Sequence, residues 1–152
     1  MTPFVATEAF EPSHPRALAV YCSDGRFTNA VEELLHRLGH PRVDTVTLPG
    51  GPALFNVWLA GFSDSDAITR GTSFLIEAHG IEQVALFAHE GCGFYKARMA
   101  GASAEQIREH QIADLRVSAG VLLQRHPRLK MRLYHAVAHK NVTFHEVPLS
   151  AR

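Results

Sequence analysis

Gln83-Val84-Ala85-Leu86-Phe87-Ala88 runs straight into His89-Glu90-Gly91-Cys92-Gly93. The first six residues are short, apolar and bounded, which predicts a strand buried on both faces rather than a helix. The loop that follows carries an imidazole, a carboxyl and a thiol between glycines. A buried strand that delivers polar residues to a turn is the pattern of an α/β sheet with chemistry at its carboxyl edge.

The same pattern occurs upstream. Leu18-Ala19-Val20-Tyr21 is a second uninterrupted apolar run, ending at Cys22 and the turn-forming Ser23-Asp24-Gly25. Val31, Leu34, Leu35 and Leu38 then recur at helical spacing, with Thr28 as the expected N-cap and Gly39 and Pro41 as stop signals. Val43, Val46 and Leu48 suggest another strand, closed by the loop Pro49-Gly50-Gly51-Pro52. Residues 53–61 form a short apolar stretch. Ser63 to Asp66 offer N-caps for a helix whose face holds Ile68, Thr72, Leu75, Ile76 and His79.

Downstream, Ser103 and Gln106 make a capping box for a long helix with Ile112, Leu115, Ala119 and Leu122 on one stripe. Residues 133–138 are a further strand, and Val142 to His145 alternate as a half-covered last strand should. Alternating strands and helices imply right-handed crossovers. The expected fold is a three-layer α/β sandwich with a central, mostly parallel sheet of four to five strands. Residues 1–16, with Pro3 and Pro15 and no periodicity, read as an arm before a single domain over residues 17–152.

The chain has 152 residues, 46% hydrophobic and 20% charged, with fifteen basic and fifteen acidic side chains. A zero formal charge gives no footprint for nucleic acid or an anionic membrane, and neither is expected as a partner. Two cysteines cannot make a disulfide framework, and residues 1–10 lack the regions of a secretory signal, so a cytoplasmic setting is expected. No run approaches the 18 apolar residues of a membrane helix.

Both cysteines fall at strand-to-loop junctions: Cys22 after the first strand, Cys92 after the third as H-x-x-C with His89. Two thiolates and an imidazole are ligands that zinc favours, and three protein ligands leave the fourth tetrahedral position open for catalysis. The competing reading is two ordinary buried cysteines and a satisfied histidine. Asp24 and Arg26, two apart in an extended turn, can face the same side. Their plain alternative is a surface ion pair.

Cys22-x-Asp24-x-Arg26 after a first strand, with His89-x-x-Cys92-Gly93 after a later one, resembles the β-class carbonic anhydrases over roughly residues 17–140. The resemblance implies one zinc ion per subunit held by Cys22, His89 and Cys92. It implies a lyase in which zinc hydroxide attacks CO2 to give bicarbonate, and a homodimer or higher homo-oligomer with its site near the subunit interface. It also implies that Asp24 either hydrogen-bonds the attacking group, with Arg26 as its latch, or occupies the fourth zinc position.

The match is incomplete, because Leu48-Pro49-Gly50-Gly51-Pro52-Ala53 stands where the family typically has an Arg-Asn-Ala-Gly segment. Gly50, Gly51, Phe55, Gly93, Phe94 and Tyr95 are the candidate pocket residues. Such an apolar loop would suit carbonyl sulfide or carbon disulfide, which relatives on this scaffold hydrolyse. If Asp24 stays on the metal, the protein is a non-catalytic zinc-binding regulator. Of the ten histidines, nine besides His89 remain without a role, and no proton relay can be singled out.

Overall fold

Leu18, Ala19 and Val20 have no solvent exposure, as expected of a strand covered on both faces. They belong to β1 (Ala17–Cys22) of a computed structural model that describes residues 2–150. Residue 1 of the expected arm and residues 151 and 152 of the expected domain lie outside the described residues. The other elements are α1 (Gly25–Arg37), β2 (Asp44–Leu48), a 3-10 helix (Gly51–Phe55), α2 (Val57–Ala60), α3 (Phe62–His79), β3 (Gln83–His89), α4 (Gly93–Arg98), α5 (Ala104–Arg125), β4 (Lys130–Ala138) and β5 (Val142–Val147).

The strands form one sheet in the order β2-β1-β3-β4-β5. The first three pairings are parallel, and β5 closes the edge antiparallel to β4. This is the expected α/β sandwich. Side chains alternate across the sheet with a period of two. Leu18, Val20, Val84, Leu86 and Leu133 pack against Ile68 and Ile76 of α3 and Leu115 and Leu122 of α5. On the other face Tyr21, Ala85, Phe87 and Tyr134 meet Val31 and Leu35 of α1.

Two helix starts differ from expectation. α1 begins at Gly25, not after Thr28, because the Asp24 carboxylate accepts from the Arg26 N–H and caps the helix four residues earlier. α3 begins at Phe62 behind Gly61, whose φ of 88° turns the chain, so Ser63 to Asp66 lie within the helix. The stretch 53–61 divides at Asn56, whose side chain accepts from the Trp58 N–H and starts α2. The Ser103–Gln106 capping box forms as expected. Among the described residues, no helix is long and apolar enough to cross a membrane.

Candidate metal centre

β1 and β3 are neighbours in the sheet, so their carboxyl ends bring Cys22 and His89 side by side. The chain then turns through Gly91, at a φ of 72°, and places Cys92 at the N-cap of α4. All three residues are buried, and their candidate ligand atoms lie within 4.8 Å of one another. The two Sγ atoms are 3.9 Å apart. Two thiolates at the usual zinc distance around a tetrahedral ion would stand about 3.8 Å apart.

The chemistry of the donor set agrees with that spacing. His89 Nδ1 lies 2.9 Å from the Glu90 carbonyl oxygen, which can only accept, so the ring proton sits on Nδ1 and Nε2 carries a lone pair. That Nε2 is buried and, among the described residues, has no partner. A buried acceptor without a donor is costly, and a metal ion beside two thiols satisfies it. Phe27 holds the ring from α1, with centroids 4.3 Å apart. From α5, the Gln111 amide donates to the His89 carbonyl oxygen at 2.7 Å.

Cys22 is the more acidic thiol. The Cys92 sulfur lies within hydrogen-bonding distance of it, and the Gly50 and Asp24 N–H groups add to the effect, so its pKa falls despite burial. Cys92 moves up, because it faces the Cys22 sulfur and is buried. A cation held between the two sulfurs would draw their protons off.

Asp24 and Arg26 pair as an N-cap and its own helix residue. Arg26 Nε donates to Asp24 Oδ1 at 2.9 Å, and Nη2 donates to Oδ2. This bidentate contact lowers the Asp24 pKa to about 2. Arg26 is largely exposed, whereas Asp24 is mostly covered.

The glycine loop packs onto β1. Gly50 N–H approaches Cys22 Sγ at 3.4 Å, and Gly51, at a φ of 52°, lies so close to β1 that a Cβ would meet Cys22 N at 2.6 Å. Phe94 packs against Gly50, and Arg98 lies over its ring at 3.8 Å. Gly93 opens α4 with free space around it. Phe55 and Tyr95 are each 2% exposed: Phe55 packs in the core beneath α3 and α5, and Tyr95 packs in one cluster with Cys22 and Cys92. Tyr95 donates to Asp114 Oδ2 at 2.7 Å.

Asp114, Gln111 and His135 are the residues that sequence reasoning missed. Asp114 also accepts from Asn56 Nδ2 at 2.7 Å, so one buried carboxylate ties α5 to α4 and to the residue after the 3-10 helix. Tyr95→Phe strips that carboxylate of a donor. The expected loss is about 1–3 kcal/mol in urea unfolding. His135 is 2% exposed, and its Nε2 lies 2.9 Å from Gln111 Oε1. Burial, with Arg108 nearby, pushes its pKa down to about 4. The available signal was periodic: Gln111, Asp114 and Ser118 occupy the stripe of Leu115 and Leu122, where apolar residues belong.

A family model described as "Putative carbonic anhydrase" matches residues 13–143. No curated protein sequence matches the chain. Among solved structures, the chain is similar to the β-carbonic anhydrase CafA of Aspergillus fumigatus. Identity is 14%, coverage 92% of this chain and 78% of that one, and the TM-score 0.61. It is also similar to a carbonic anhydrase from Streptococcus mutans, at 17% identity over 93% and 87% of the two chains, with a TM-score of 0.57. A β-carbonic anhydrase from Trichomonas vaginalis gives 19% identity over 91% and 87%, with a TM-score of 0.51. At such identities the structural likeness speaks for the fold.

Proposed function

The chain belongs to the carbonic anhydrase family, and we propose that it is a zinc-dependent lyase that hydrates CO2 to bicarbonate, with Cys22, His89 and Cys92 as ligands of one zinc ion per subunit. The observation that carries this reading is the unpartnered, buried His89 Nε2 lone pair beside two thiols 3.9 Å apart.

When bound, zinc supplies Lewis acidity toward a water oxygen. The chain's own groups do the rest. Two thiolates neutralise much of the ion's charge, so the attacking oxygen needs help from the protein. Asp24, ionised, can only accept hydrogen bonds. It takes the O–H of the attacking oxygen and leaves the lone pair facing CO2. Arg26 fixes the Asp24 carboxylate through two hydrogen bonds, so that it is oriented as well as ionised. Arg26→Ala is expected to lower kcat/KM for CO2 about 10- to 100-fold at neutral pH, read by stopped-flow indicator assay. The Asp24 pKa is lowered, so the pairing is complete above the ordinary carboxylate range. It is lost only as pH falls through about 2. The Arg26→Ala defect should therefore be flat across pH 7–9.

Gly50, Gly51, Phe55, Gly93, Phe94 and Tyr95 are the proposed pocket residues. A second reading, hydrolysis of carbonyl sulfide or carbon disulfide, is favoured by the glycine loop, where Gly50 to Ala53 are all buried and present no polar side chain. Parallel assays on CO2 and carbonyl sulfide separate the two. The primary reading expects CO2 to be the better substrate by kcat/KM, and the reverse order would replace it with the second. A homodimer or higher homo-oligomer is proposed because Trp58 and Phe62 are 95% and 78% exposed on α2 and α3. A cytoplasmic setting would keep both free thiols reduced.

A further inference from the structure

The loop Glu90–Cys92, the first turns of α5 and the end of β4 enclose a cleft of about 580 Å³. Of the proposed zinc ligands only Cys92 borders it, and Asp24, Arg26, Gly50 and Phe94 do not. It is a second face of the centre, away from the loop that carries the pocket residues.

Its hydrogen-bonding pattern follows from Gln111. The Gln111 amide nitrogen is committed to the His89 carbonyl oxygen, so Oε1 is the atom facing His135, and His135 Nε2 must donate to it. In the neutral ring Nδ1 is then a bare acceptor. It is buried and, among the described residues, has no partner, an omission that native interiors rarely tolerate. Lys96 and Arg108 line the same cleft, and among the described residues neither makes a side-chain hydrogen bond or ion pair. Glu90 and Glu105 also border it. Two cations balance two carboxylates, so the cleft selects by donor and acceptor pattern rather than by net charge. The start of α5 is already capped by Ser103 and Gln106 and is not itself the binding element.

We propose that this cleft binds a small oxyanion bearing a protonated oxygen. Its charged oxygens accept from Arg108 and Lys96, and its O–H donates to His135 Nδ1. A fully deprotonated anion would set its oxygens against His135 Nδ1, Glu90 and Glu105 with no hydrogen to offer. Hydrogen phosphate and bicarbonate fit this pattern, and sulfate does not. The Gln111 bridge connects the bound anion to the backbone of His89.

Inorganic phosphate is the probe, titrated calorimetrically into the zinc-loaded protein at pH 7.5 with sulfate as the isosteric control. Saturable phosphate binding is expected, with sulfate at least about tenfold weaker, since a site built around a ligand hydroxyl rejects the analogue lacking it. Arg108→Ala should weaken phosphate by at least about tenfold. Nitrogen-15 NMR should show the His135 Nδ1 resonance moving as phosphate is added. Bicarbonate, added to the NMR sample in place of phosphate, should move the same resonance. Equal affinity for sulfate and phosphate, an Arg108→Ala variant that binds phosphate as tightly as the parent, or a His135 resonance that stays still would each overturn the proposal.

Discussion

Cys22→Ser is expected to take the purified protein from about one zinc per chain to less than about one-tenth at micromolar concentration, by inductively coupled plasma mass spectrometry. A serine hydroxyl stays protonated at neutral pH and is a hard, weak donor, whereas the Cys22 thiol is the more acidic of the pair. His89 and Cys92 alone leave two ligands, too few for a stable tetrahedral site. CO2 hydration should fall by at least about a thousandfold with the metal. The fold should survive, because Cys22 is a small side chain at the end of β1. Circular dichroism therefore separates loss of ligand from loss of structure. Stoichiometric zinc in a folded Cys22→Ser protein would remove Cys22 from the ligand set.

Gly51→Ala is expected to destabilise the protein by more than about 3 kcal/mol in urea unfolding, the largest effect we expect from adding one methyl group. A Cβ at Gly51 would lie 2.6 Å from both Cys22 N and Tyr21 C. Both are backbone atoms of a central strand and cannot step aside. The φ of 52° adds strain for any side chain. Because the loop also sends the Gly50 N–H to Cys22 Sγ, the displaced variant should lose zinc as well as stability. Gly120→Ala is the matched control: it lies in α5 with open space around its Cβ position, and should stabilise by about 0.4–1 kcal/mol. If Gly51→Ala unfolds at the same urea concentration as the parent, the close packing of the loop on β1 is not a constraint.

The run from Gln83 to Cys92 was informative because a fully buried strand has a composition that no surface element shares. It placed His89 and Cys92 at the sheet edge, where the structure has them, and the same logic placed Cys22. Element boundaries were less legible where one residue serves two purposes. Asp24 is both the cap of α1 and the partner of Arg26, and an N-cap so close to the strand left no loop for a helix starting after Thr28. Phe55 and Tyr95 show a second limit. Both are offered as pocket residues with the apolar glycine loop, and the sequence does not show that Phe55 also completes the core or that Tyr95 donates to a buried carboxylate. Asp114 lies far along the chain from both partners' loops, and only the tertiary fold shows why a carboxylate occupies a core stripe.

Zinc-dependent CO2 hydration is tested by stopped-flow assay of one preparation measured as purified, after removal of metal by a chelator, and after reloading with one equivalent of zinc per chain. Turnover between pH 7 and 9 is expected to disappear with the metal and to return on reloading in the parent protein but not in Cys22→Ser. Turnover that is absent from the zinc-loaded protein, or that persists unchanged without zinc, would contradict a zinc-dependent lyase.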